Sequence, residues 1–198
     1  MTGRIIILNG VPRSGKSSIA RALQSRGPWL NLGVDAWMST IPAQLQPGIG
    51  LRPGGERPDL EPMVQQLYAG LFEAIAGAAR AGLDVVSDLG LHDGYSRPLG
   101  IWEDGRRRLA GLPVLLVGVR CPIETIMARR NADPDARYVR GEGVPAPVAR
   151  WQEAVHRGMA YDLEVDAGVM SAEECAEAVL AVLTERFPPP SAATSLRS

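Results

Sequence analysis

The sequence predicts an α/β fold, a five-stranded parallel sheet flanked by helices on both faces, and three observations carry that prediction. Five short apolar runs, at residues 4–8, 29–34, 83–87, 114–119 and 163–166, alternate with stretches of helical periodicity. Strands that alternate with helices are joined by crossovers, which makes the sheet parallel and covers both of its faces. The third observation is a glycine-rich segment between the first apolar run and the first helix, where a parallel sheet presents its ligand-binding edge.

The elements follow in chain order. A helix is expected from about Gly15 to Arg26, with Ile19 and Leu23 one turn apart and Gly27-Pro28 ending it. A longer helix starts near Glu61 with Pro62 in its first turn, and Leu60, Val64, Leu67, Leu71, Ile75 and Ala78 recur at spacings of three and four. Another helix follows Cys121, with Pro122 just inside its start. The last opens at Ser171 with Glu174 three residues on, a capping box, and turns Cys175, Val179, Val182 and Leu183 to one side. Residues 42–59, rich in Gln, Gly and Pro, read as a surface excursion beside the acceptor, and about 129–147 as a lid. One domain over residues 1–186 and a disordered tail over 187–198 complete the layout.

Bulk properties exclude several classes. A chain of 198 residues suits one such domain, and 45% apolar with 22% charged residues is ordinary for a globular protein. A net charge of −1 and the lack of a basic-aromatic stripe argue against nucleic acid as partner. No apolar run approaches the roughly 20 residues that span a bilayer, and the first apolar stretch is too short for a signal peptide, so no membrane role and a cytoplasmic location are expected. Cys121 and Cys175 read as two reduced, partly buried thiols. Of 21 basic residues, Lys16 is the only lysine, which marks a site that needs a compact ammonium rather than a planar fork.

That lysine lies in GVPRSGKS, residues 10 to 17, a match to G-x-x-x-x-G-K-[ST]. Gly10 and Gly15 let the backbone bend around phosphates, with Val11, Pro12, Arg13, Ser14, Ser17 and Ser18 completing the cradle. Lys16 is expected to reach the β- and γ-phosphates of ATP, and the Ser17 hydroxyl to coordinate Mg²⁺.

Acids and arginines supply the remaining candidates. Asp35, in LGVDAW after the second strand, reads equally as the group that orients a substrate hydroxyl and as the N-cap of a short helix. Asp88, closing LDVVSD, fits a strand-end carboxylate that holds Mg²⁺ directly or through water. Asp93 reads as a turn former and His92 as a loop residue. Arg129, Arg130, Arg137 and Arg140 read as a mobile lid that closes over ATP or as a solvated, charge-mixed loop, the lid being favoured, while Arg106–Arg108 reads as solvated helix surface. Trp37 and Met38 are expected as core or as the apolar wall of an acceptor pocket, the wall being favoured.

The segments RIIILNG-VPRSGKS-SIAR, WLNLGVDAW, VLLVGVRC and VHRGMAYDLEVD together resemble the chloramphenicol phosphotransferase family, over residues 4 to about 183. The resemblance implies the P-loop kinase fold and transfer of the γ-phosphate of ATP to an alcohol. It also implies that Asp35, in the matching GVD segment, is the catalytic base. Arg129 and Arg137 best match the family's lid arginines, with Asp133 standing where a basic residue is expected. Relatives carry an acidic pair where this chain has Ser87-Asp88, which leaves the Mg²⁺ role to Asp88 alone. Residues 42–59 do not align, so the resemblance speaks to the reaction more than to the acceptor. The expected partner is a small hydroxylated molecule, an antibiotic or other natural product. A metabolite, sugar or nucleotide kinase and a nucleotide-binding switch without transfer chemistry stand as alternatives. Trp37, Met38 and Ile41 near Asp35 favour an acceptor with an apolar body.

Overall fold

The computed structural model describes residues 2–132 and 143–188. Five strands are present: β1 (Ile5–Asn9), β2 (Leu30–Asn31), β3 (Val85–Leu89), β4 (Val114–Arg120) and β5 (Leu163–Asp166). They form one sheet in the order β2-β3-β1-β4-β5, every pairing parallel. Among the described residues seven α-helices lie between and after the strands: α1 (Lys16–Gln24), α2 (Val34–Ser39), α3 (Glu61–Arg80), α4 (Ile101–Arg108), α5 (Ile123–Ala132), α6 (Ala146–Ala154) and α7 (Ala172–Arg186).

The central strand explains why both faces are covered. All five residues of β1 are buried, and their side chains alternate between two cores. Ile6 and Leu8 join Ile19 and Leu23 of α1 and Val179 and Leu183 of α7. Ile5 and Ile7 face Val64, Leu71, Phe72 and Ile75 of α3. A strand with no polar face fits only between two layers of helices, and this sequence supplies both.

Several boundaries shift for physical reasons. β2 pairs over two residues only, because the chain turns at Gly33 into α2. β3 starts at Val85 rather than Leu83, since Leu83 N still bonds Ala78 O at the end of α3 and its side chain is half exposed. The buried face of α3 runs through Tyr68, Phe72, Ala76 and Ala79 as well as Val64, Leu71 and Ile75, leaving Leu67 and Ala78 at its margins. α1 stops at Gln24, before Gly27-Pro28. The Ser171–Glu174 capping box forms as expected at the start of α7. Phe187, assigned to the tail by the sequence, packs against the core beside α7, and residues 189–198 lie outside the described residues. α6, which no periodicity announced, begins inside the expected lid, whose residues 133–142 are also outside the described residues. Among the described residues no helix is long and apolar enough to cross a membrane. Both cysteines are free and buried.

Asn9, at the last position of β1, ties the sheet edge together. Its Oδ1 accepts from Leu91 N at 2.6 Å, and its Nδ2 donates to Val155 O at 3.1 Å and to the Tyr161 hydroxyl at 2.9 Å. The residue is fully buried, so removing the amide strands partners that water cannot reach. Asn9→Ala is expected to cost about 2 kcal/mol and to lower Tm by about 4–8 °C. An unchanged thermal melt would contradict this account of the junction.

Candidate active site

The segment between β1 and α1 wraps into a cradle because two of its residues adopt left-handed backbone. Gly15 has φ 106°, and Arg13, at φ 71°, is the only non-glycine residue with positive φ among those described. Alternation of this kind turns successive N–H groups to one side, at the start of a helix whose dipole favours an anion. Gly10, Pro12, Arg13, Gly15, Lys16, Ser17 and Ser18 line a crevice of about 720 Å³. The Val11 and Ser14 side chains are buried and neither residue lines the crevice, so each would serve the cradle through its backbone alone. Val11 packs against Cys121, Ile126 and Val155, and only its backbone serves the loop. The Ser14 hydroxyl is enclosed without a hydrogen-bond partner.

Lys16 and the two acids meet in this crevice. The Lys16 side chain is half-buried, and its ammonium donates to Val11 O at 2.7 Å. Burial lowers its pKa to about 8, against the attraction of Asp88 and then Asp35, which raises it. Asp35 lies in the first turn of α2, where Gly33 is the N-cap and no side chain caps the helix, so the capping reading does not hold. Its carboxylate is exposed to the crevice. Asp88, one residue inside the end of β3 and paired in register with Leu8, accepts a hydrogen bond from Ser17 Oγ at 2.6 Å.

Ser17 and Asp88 together fit Mg²⁺. That ion takes oxygen ligands, typically one or two carboxylates with the rest supplied by phosphates and water. Among the described residues no group of three or more His, Cys, Asp or Glu could hold a metal ion. Gly33 leaves room for the carboxylate: a Cβ there would stand 1.8 Å from Asp88 Oδ1, although its φ of −72° suits any residue. Gly33→Ala is therefore expected to displace Asp88 without straining the backbone. Turnover should fall about 10- to 100-fold, and half-maximal activity should require more Mg²⁺. Wild-type metal dependence in this variant would remove Asp88 from the metal site.

Part of the crevice lining is apolar: Val34, Leu51, Tyr68, Leu89 and Trp151 all contribute to it. Burial and the nearby Asp35 charge raise the Tyr68 pKa, so its phenol stays protonated. Trp37 and Met38 are not the wall that the sequence favoured. Met38 is buried, and Trp37 packs on the α3 side of the core with its Nε1 donating to Leu67 O at 3.0 Å. His92 contributes indirectly: buried, with its pKa lowered by burial, it bonds Leu51 O at 3.0 Å. Its ring stacks on Tyr95 at 4.3 Å and meets the Trp151 edge-on at 5.0 Å. Asp93 accepts from Gly100 N, seven residues on at the start of α4, rather than closing a local turn. Ala167, Met170 and Ser171, from the turn between β5 and α7, and Ala172 at the start of α7 also line the crevice.

The arginines divide. Arg129, in the last turn of α5, reaches the phosphate loop and donates to its backbone carbonyls rather than standing free on a lid. Arg137 and Arg140 lie outside the described residues. Arg107 and Arg108 pair with Asp104, and Arg108 also with Glu73, on the surface of α4. Sequence reasoning missed Leu51, Tyr68 and Trp151. Tyr68 was legible as the residue one turn after Val64, whereas nothing in the sequence around Trp151 marks it.

A phosphate loop on the central strand of a parallel sheet, with a carboxylate on the neighbouring strand, is the architecture of a P-loop kinase. Solved structures of similar fold include a sugar kinase from a Janibacter species, with a TM-score of 0.64 at 21% identity, covering 91% of this chain and 94% of that one. The APS kinase of Mycobacterium tuberculosis, solved with AMPPNP and APS, gives a TM-score of 0.64 at 19% identity and covers 92% and 98%. A tunicamycin resistance protein of Deinococcus radiodurans gives 0.60 at 19%, covering 90% and 94%. No curated protein matches the chain in sequence. Residues 3–184 match the family described as chloramphenicol phosphotransferase-like protein, and the chain belongs to that family. It is a P-loop phosphotransferase.

Proposed function

We propose that this protein transfers the γ-phosphate of ATP to a hydroxyl of a small molecule with an apolar or aromatic body, chloramphenicol being the first acceptor to consider. The observation that carries the reading is the layout of the crevice. The crevice lined by the phosphate loop, Lys16 and Asp35 is also lined by Leu51, Tyr68 and Trp151, and the Asp35 charge acts on Tyr68. A hydroxyl held against Tyr68 would have Asp35 near it to accept its proton. In a loose phosphoryl transfer such a carboxylate works chiefly by orienting the nucleophile, so an ordinary acid strength suffices. Lys16 would offset charge on the phosphates, and the loop's N–H groups would hold them. Ser17 and Asp88 would hold Mg²⁺, which supplies charge neutralisation across the phosphates when bound.

Leu51 comes from the 42–59 loop, so the loop contributes to the lining of the crevice beside Asp35. The test is a coupled ADP-release assay with Mg-ATP over a panel: chloramphenicol, other hydroxylated antibiotics including tunicamycin, nucleosides and sugars. Acceptor-dependent release with an apolar-bodied alcohol is expected. Release that is fastest with a sugar or nucleoside would replace this reading by that of a metabolite kinase.

A further inference from the structure

We propose that Arg129 is a positioning residue that braces the phosphate loop in its anion-binding shape, acting through the loop's backbone rather than on the transferred phosphoryl group. The inference rests on the reading of the crevice as a phosphate site. It starts from a geometric requirement: a loop that turns its N–H groups inward must turn carbonyls outward. Those carbonyls, beside the strained backbone of Arg13, need partners that fix them.

Arg129 supplies the partners. Its Nη1 donates to Arg13 O at 3.3 Å and to Ser14 O at 3.0 Å, and it lies 3.4 Å from Cys121 Sγ. Its Nη2 donates to Ala167 O at 2.6 Å. One guanidinium thereby links α5, the outer side of the phosphate loop and the turn after β5. A Cβ on Gly15 would lie 3.4 Å from Nη1 and 3.6 Å from Ala167 Cβ, so the junction is packed as well as hydrogen-bonded. The guanidinium serves the loop from Nη1 and the turn after β5 from Nη2, whereas an ammonium has all its donors on one atom and cannot reproduce that two-nitrogen geometry.

This separates bracing from three other roles. A charge that merely attracts phosphates would survive in Arg129→Lys. A contact with the nucleotide base would leave a base-free ligand unaffected. A side chain that acts only in the transition state would alter turnover and nothing else.

The test compares Arg129→Lys and Arg129→Gln with the wild type, the lysine variant keeping charge and stem should the glutamine variant fold poorly. Binding of ADP and of inorganic tripolyphosphate is measured by calorimetry. Hydrogen exchange is followed in the ligand-free protein at the amides of Ser14, Ser18 and Ile19, which bond Val11 O, Gly15 O and Gly15 O within the loop and first turn. The expected result is about tenfold weaker binding of both ligands, by similar factors, in both variants, with exchange at those amides about tenfold faster. Wild-type binding in the lysine variant, loss of ADP affinity alone, or unchanged exchange would each overturn the brace. Faster exchange in variants of a protein whose wild type binds neither ligand would leave the brace standing and remove the phosphate-site reading instead.

Discussion

Asp35→Asn is expected to lower turnover by about 10²-fold or more while ADP and ATP affinities stay near those of the wild type. Asparagine keeps the size and the hydrogen-bonding carbonyl of the side chain but cannot take a proton from an attacking hydroxyl. Because Asp35 caps no helix and is exposed to the crevice, the substitution removes no fold contact that could confuse the outcome. One secondary effect has a defined sign. Asp35 attracts the Lys16 ammonium, so its neutralisation should move the Lys16 pKa further below about 8. Nucleotide affinity is best compared near pH 7, where Lys16 stays largely charged in both proteins. Equal turnover in variant and wild type would end the role of Asp35 and return weight to a nucleotide-binding switch.

Lys16→Met should have the second large effect, a loss of about 10³-fold in turnover, because no other lysine exists in the chain to substitute for it. The same residue predicts a pH dependence. Its folded-state pKa of about 8 lies below the ordinary lysine value of 10.5, since burial disfavours the ammonium. Between those two values the unfolded chain holds more protons at this site than the folded protein. Stability therefore carries the full cost of the buried ammonium below about pH 8 and regains it as pH rises toward 10.5. Nucleotide binding has the opposite trend, since phosphates favour the charged form. Affinity should fall as pH rises above about 8, with proton uptake on binding. Calorimetry in two buffers of different ionisation enthalpy reads that uptake directly. Uptake that persists in Lys16→Met would assign it to another group.

The parts of the molecule that were legible in the sequence are those specified by local pattern. The five strands, the capping box at Ser171 and the phosphate loop each follow from residue spacing alone, and Asp88 was found because strand ends in parallel sheets gather at the ligand. The apolar lining of the crevice was not legible, because it forms from three distant segments. Leu51, Tyr68 and Trp151 come from the 42–59 loop, α3 and α6, and only the packing of His92 between Leu51, Tyr95 and Trp151 brings two of them together. Trp37 was misassigned for a related reason. An aromatic two residues after a site acid on a helix points well away from that acid, here toward α3. Arg129 was read as a lid arginine from its place in a run of arginines. Its partners are backbone carbonyls, which leave no mark on composition.

The central claim is that phosphate moves to an acceptor hydroxyl, and the mass of the acceptor tests it most directly. After incubation with Mg-ATP and the wild-type protein, the acceptor selected by ADP release should gain about 80 daltons, and with Asp35→Asn it should not over the same interval. ADP formed without any gain in acceptor mass would contradict the account, because the site would then pass phosphate to water.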